Sequence, residues 1–122
     1  MRKVAVVDDN ADNRLIIRTI LEDQYEILEF SSGIEAIEGF RKDKPDVVIL
    51  DLLMPVMNGI DAARVLRLIM PRLPLIMNIA SKDQLVEKEA RLIGVTEIVP
   101  KSAQALVQTA RRVLCSELPA AA

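Results

Sequence analysis

A three-layer α/β sandwich is the fold class this sequence predicts, and three observations carry the prediction. Short, β-branched apolar runs alternate with stretches of helical periodicity along the whole chain. Most of those runs are continuously apolar, the habit of strands covered on both faces in a parallel sheet. The chain has 122 residues, 51% of them hydrophobic, with no repeat, low-complexity segment or internal linker. That suits one domain with its own core and no need of staples.

The elements follow in order. Residues 3–7 (KVAVV) form the first strand and end at Asp8 and Asp9. A helix over 12–22 comes next, with Asn10 or Asp12 to cap it and Ile16, Ile17, Ile20 and Leu21 on its inward side. Residues 25–30 are more polar and alternating, which fits an edge strand. The second helix, 34–42, spaces Ile34, Ile37 and Phe40 by three. Residues 46–50 repeat the form of the first strand and end at Asp51. Asn58 and Gly59 introduce a helix over 60–68, which Pro71 stops. Residues 75–79 form the fourth strand. The helix over 83–93 carries Leu85, Glu89, Leu92 and Ile93 and closes at Gly94, a residue suited to a helix C-terminus. A fifth strand spans 97–99, and Ser102 caps a last helix over 103–115 with Leu106, Val107, Ala110, Val113 and Leu114 inward. Right-handed crossovers then place helices on both faces of the sheet. Residues 2–116 make the domain, and 117–122 are a tail or the start of a linker.

Composition removes whole classes of chemistry. There is no histidine, so His triads, His bases, phosphohistidine and His metal ligands are excluded on this chain. A single cysteine, Cys115, excludes an internal disulfide and any CxxC site; it fits a reducing cytoplasm and reads as an apolar filler of the last helix. Tyr25, Phe30 and Phe40 are too few aromatics for base stacking. A net charge of −2 gives no field for nucleic acid or a membrane surface, and no segment reads as a signal or a membrane span. Carboxylates, lysine, hydroxyls and a hard metal ion remain.

Three strand ends deliver ionisable groups. In the flavodoxin-like strand order 2-1-3-4-5, the Asp8/Asp9 pair and Asp51 face each other across about 5 Å at the switch point, where such sheets bind ligands. Lys101 starts two strands from Asp51, roughly 10 Å away, and its four-carbon stem spans most of that gap. Clustered carboxylates repel and raise a pKa, and they make sense with Mg²⁺, an oxygen-seeking ion that also binds phosphate. A carboxylate beside Mg²⁺ and a lysine is a workable phosphoryl acceptor.

Val7-Asp8-Asp9-Asn10, the run VILDLLMP over 48–55, Asn58-Gly59 and Pro100-Lys101-Ser102 together resemble the response-regulator receiver domain of bacterial two-component signalling. The resemblance covers residues 3 to about 115. It implies that Asp51 is the phosphoacceptor, that Lys101 pairs with the phosphoryl group, and that Asp8, Asp9, Asp51 and the backbone carbonyl of Leu53 hold Mg²⁺. It further implies a cytoplasmic protein that is no enzyme beyond handling its own aspartyl phosphate. A sensor histidine kinase or phosphotransfer protein would act upstream of it. A downstream protein target or C-terminal effector domain would follow. It also allows a homodimer through the face of the fourth and fifth helices.

Two positions depart from that family's pattern. Ile79 stands where a Thr or Ser is usual at the end of the fourth strand, and Ile98 stands where an aromatic is usual in the fifth. A site that accepts phosphate without the usual relay is the resulting expectation, with Ser81 a substitute only if its loop is displaced. Asn78, polar within an apolar strand, reads as a hydrogen-bonded neighbour of the site. The alternative function is an interaction module of receiver fold whose output ignores phosphate. A Mg²⁺-dependent phosphatase is disfavoured because Leu53, two residues after Asp51, is no acid/base. A flavin site is disfavoured because residues 9–12 (DNAD) would repel a phosphate.

Overall fold

Five strands, all paired in parallel, run in the order β2-β1-β3-β4-β5 through the centre of the protein. The structure is a computed structural model that describes residues 1–80 and 83–121. Its elements are β1 (Lys3–Val7), α1 (Ala11–Leu21), β2 (Glu26–Phe30), α2 (Gly33–Phe40), β3 (Val47–Asp51), α3 (Gly59–Ile69), β4 (Leu75–Ile79), α4 (Gln84–Ile93), β5 (Glu97–Pro100) and α5 (Ala103–Ala121). The predicted class, strand order and alternation are therefore those observed. The last helix runs on to Ala121, into the segment read as a tail.

Because strand side chains alternate between faces, each strand feeds two cores. Ala5, Val7, Val48, Leu50, Leu75 and Met77 pack under α2, α3 and α4 with Phe40, Leu66 and Ala90. Val4, Val6, Val47, Ile49, Ile76 and Val99 pack under α1 and α5 with Ile17, Leu21, Leu106, Val107 and Leu114. Each such aliphatic side chain contributes roughly 1.5–3 kcal/mol on burial, so the two cores dominate the stability. β2 is the half-exposed edge strand that its polarity predicts.

Helix starts are fixed by short polar caps, which satisfy amides that the first turn leaves open. Asn10, not Asp12, caps α1 by accepting from the amides of Asp12 and Asn13. Ser32, Asn58 and Asp83 do the same for α2, α3 and α4, and Ser102 accepts from the amide of Ala105. Gly94 closes α4 with φ at 99°, in the left-handed region that favours glycine.

Several helical side chains read as inward are not. Ile16 and Ile20 of α1, Ile34 of α2, and Leu85 and Leu92 of α4 are all exposed, as is Cys115. Each helix covers the sheet with only a stripe of its surface, and Ile17 with Leu21 or Ala36 with Phe40 already fill that stripe. At the edge where the strands begin, Arg67 of α3 donates to the carbonyls of Met70, Pro71 and Leu73 and, across to the end of α4, to that of Gly94.

Candidate functional site

The site lies at the opposite edge, where β1, β3 and β5 end. Asp8 follows β1 and is 2% exposed; its Oδ1 accepts from the Asn10 amide at 2.9 Å and its Oδ2 from Asn13 Nδ2 at 3.4 Å. Asp51 is the last residue of β3 and 3% exposed. Asp9 is exposed at the rim. Carboxylate oxygens of Asp8, Asp9 and Asp51 lie within 4.8 Å of one another, so the predicted acid cluster forms.

The backbone around Asp51 is held on both sides. The Leu52 amide donates to the Asn78 carbonyl at 3.0 Å, and the Gly59 amide donates to the Leu52 carbonyl at 2.8 Å. The Leu53 amide donates to Asp51 Oδ1 at 3.4 Å, while the Leu53 side chain points into solvent. Lys101 donates its amide to the Ile79 carbonyl at 2.9 Å, which continues the β4–β5 ladder beyond the strand. From there its Nζ reaches to 3.6 Å from Asp51 Oδ2, closing the gap the sequence predicts.

Burial drives the Asp51 carboxyl up from its usual 3.8 to about 6, and the charge of Asp8 adds to that; Lys101 and the Leu53 amide oppose the rise. Three carboxylates share one ammonium within ion-pair reach among the described residues. That uncompensated set of hard oxygen donors fits a small divalent cation such as Mg²⁺.

Sequence reasoning missed two residues here. Asn13 holds Asp8 Oδ2, and Arg14 donates to the Asp8 carbonyl while paired with Glu29. The available signal was polar side chains in the helical turn after the acid pair. Ile79 is buried and Ile98 partly buried in the apolar cluster under α2, α3 and α4, on the face away from Asp51. Ser81 lies outside the described residues.

The profile of the response regulator receiver domain matches residues 4–111, nearly the whole chain. This chain belongs to that family. The receiver is 35% identical over 105 residues to the chemotaxis protein CheY of Thermotoga maritima, covering 84% of this chain and 88% of the relative. It is 38% identical over 109 residues to a protein-glutamate methylesterase/protein-glutamine glutaminase of Pyrococcus horikoshii, covering 85% of this chain but only 29% of that protein. Among solved structures, the chemotaxis protein CheY4 of Vibrio cholerae superposes with a TM-score of 0.87 at 30% identity, over 93% of this chain and 98% of that one. Receiver domains are in general signalling modules of two-component systems, working with histidine kinases and effector domains. No helix among the described residues is long and apolar enough to cross a membrane.

Proposed function

We propose that this receiver, comprising residues 2–116, accepts a phosphoryl group on Asp51 in a Mg²⁺-dependent reaction. The observation that carries the reading is the convergence of Asp8, Asp9 and Asp51 within 4.8 Å, with Lys101 Nζ 3.6 Å from Asp51. The donor is a phosphohistidine of a sensor kinase or phosphotransfer protein, which supplies the residue this chain lacks. An Asp51 carboxylate oxygen attacks phosphorus; the O–P bond forms as the donor's N–P bond breaks, and the electron pair leaves on the imidazole nitrogen. Mg²⁺, when bound, would supply neutralisation of the charge on the transferring oxygens. Asp8, Asp9, Asp51 and the Leu53 carbonyl would hold that ion, and Lys101 meets the remaining phosphoryl charge. The output goes to a protein target or an attached effector domain in the cytoplasm.

A small phosphodonor with Mg²⁺ should add one phosphoryl mass to the intact protein. Asp51→Asn should remove that addition, and an unlabelled wild type would overturn the reading. The metal has its own test. Mg²⁺ at ten times its dissociation constant should stabilise the wild type by about 1.4 kcal/mol in urea unfolding. Asp9→Asn should lose most of that gain, and an undiminished gain would make Asp9 a bystander.

A second reading, in which output ignores phosphate, is favoured by one observation. Ile79 and Ile98 sit in the apolar core, so neither offers a polar atom that could respond to the phosphoryl group. Amide shifts with and without beryllofluoride separate the two readings. Changes confined to the acid cluster support the second, and changes spreading through α4 and β5 support a conformational output.

A further inference from the structure

Asn78 does not fit the reading of a satisfied neighbour. It is 2% exposed, and its Oδ1 has no hydrogen-bond donor among the described residues. A buried acceptor left unpaired is destabilising, so its presence calls for a reason.

Its position supplies one. Asn78 registers with Asp51 on β3 and with Val99 on β5, so it stands between the strand that bears Asp51 and the strand that leads to Lys101. Ile49 and Ile76, two residues before Asp51 and Asn78, both belong to the core under α1 and α5. Alternation therefore puts Asp51 and Asn78 side by side on that face. Asn78 and Lys101 also line one small cavity of about 190 Å³, together with Asn13 and Leu106.

Lys101, exposed beside the site, has donors to give. An ammonium carries three N–H donors. Its contact to Asp51 at 3.6 Å is an ion pair, longer than a hydrogen bond. Once Asp51 is an acyl phosphate, that carboxylate charge is gone and the ammonium must move to a phosphoryl oxygen. A lysine stem that moves freely loses rotamer entropy on being fixed there. A carboxylate at position 78 would compete with the phosphoryl group for Lys101, and an apolar side chain would give it no anchor. A neutral acceptor avoids both.

We propose that Asn78 is a positioning residue for Lys101, its Oδ1 accepting a hydrogen bond from the ammonium and holding it against the phosphoryl group on Asp51. This rests on the reading of Asp51 as phosphoacceptor.

The test follows the rate of labelling by acetyl phosphate in Mg²⁺ for the wild type, Asn78→Val, Asn78→Thr, Lys101→Ala and Asn78→Val/Lys101→Ala. Asn78→Val should slow labelling about tenfold, equivalent to about 1.4 kcal/mol. Asn78→Thr, isosteric with Val but with a hydroxyl oxygen on Cβ facing the same side, should recover part of it. In the Lys101→Ala background Asn78→Val should change nothing, because its partner is absent. In chelator Asn78→Val should unfold at higher urea than the wild type, the opposite of what loss of a structural hydrogen bond gives. A readout free of turnover comes from the Asn78 carboxamide resonances, which should shift with beryllofluoride in the wild type and not in Lys101→Ala. Equal rates for wild type and Asn78→Val overturn the proposal, as does the same loss in both backgrounds or a carboxamide response that Lys101→Ala leaves unchanged. A wild type that takes no label overturns this proposal and the phosphoacceptor reading together. A labelled wild type matched by Asn78→Val overturns this one alone.

Discussion

Gly59→Ala is expected to lower stability by about 3 kcal/mol, near the upper end of what forcing one methyl group into a packed interior costs. A Cβ on Gly59 would come within 2.5 Å of the Asp51 carbonyl oxygen and 2.8 Å of Leu52 Cα. Both are backbone atoms, so no side chain can swing aside to make room. Either α3 or the end of β3 must shift, and the hydrogen bond from the Gly59 amide to the Leu52 carbonyl ties the two together. Asp51 sits at the end of β3, and its own carbonyl is the atom the methyl group would meet first. Labelling of Asp51 should therefore slow about 100-fold, the usual consequence of displacing a reacting group by about 1 Å. Urea unfolding with an unchanged slope and a lower midpoint checks the first number, and phosphodonor kinetics check the second. A variant within 1 kcal/mol of the wild type would show that the loop absorbs the methyl group.

The second large effect has the opposite sign. In metal-free protein, Asp51→Asn should raise stability, and the gain should depend on pH. The Asp51 carboxyl titrates at about 6 in the folded protein against 3.8 ordinarily. Well below pH 3.8 both states hold the proton, and up to about pH 4 the two proteins differ little. Between 4 and 6 the folded state keeps a proton the unfolded state has released, so wild-type stability falls as pH rises. Above 6 the full penalty applies, about 3 kcal/mol for a shift of about two pH units. Asparagine keeps the shape and carries no charge, so its advantage grows across that window and then levels off. Unfolding both proteins in chelator at pH 4 and at pH 8 measures it. A gain equal at the two pH values would assign it to something other than the carboxylate charge.

Most of the frame was legible because apolar runs of fixed length, flanked by acids, have few other uses than covered parallel strands. Asp8, Asp51 and Lys101 were legible for the same reason, since strand ends in such a sheet share one edge. Inward helix faces were less so. On α1, Ile16 with Ile20 and Ile17 with Leu21 are both pairs at a spacing of four, and only the sheet's position selects the second. On α4, Leu85 and Leu92 lie a heptad apart and look like a seam, yet the sheet takes Ala90, whose small side chain lets the helix approach. Asn78 was visible as an anomaly, but its unpaired oxygen depends on registers that no local pattern encodes.

Arg67 gives the molecule two unlike ends. Its guanidinium binds four backbone carbonyls from the α3–β4 turn and the end of α4, so neither connection can fray without the other. A planar fork of fixed donors suits such a clamp in a way an ammonium does not. Opening either connection therefore loosens the other. At the acid edge, among the described residues, an arginine reaches only one carbonyl, Arg14 to that of Asp8, and the other loop backbone is held by single amides beside carboxylates that repel one another. Local opening is therefore concentrated at one rim. A ligand at the acidic end thus meets the less tightly tied of the two rims.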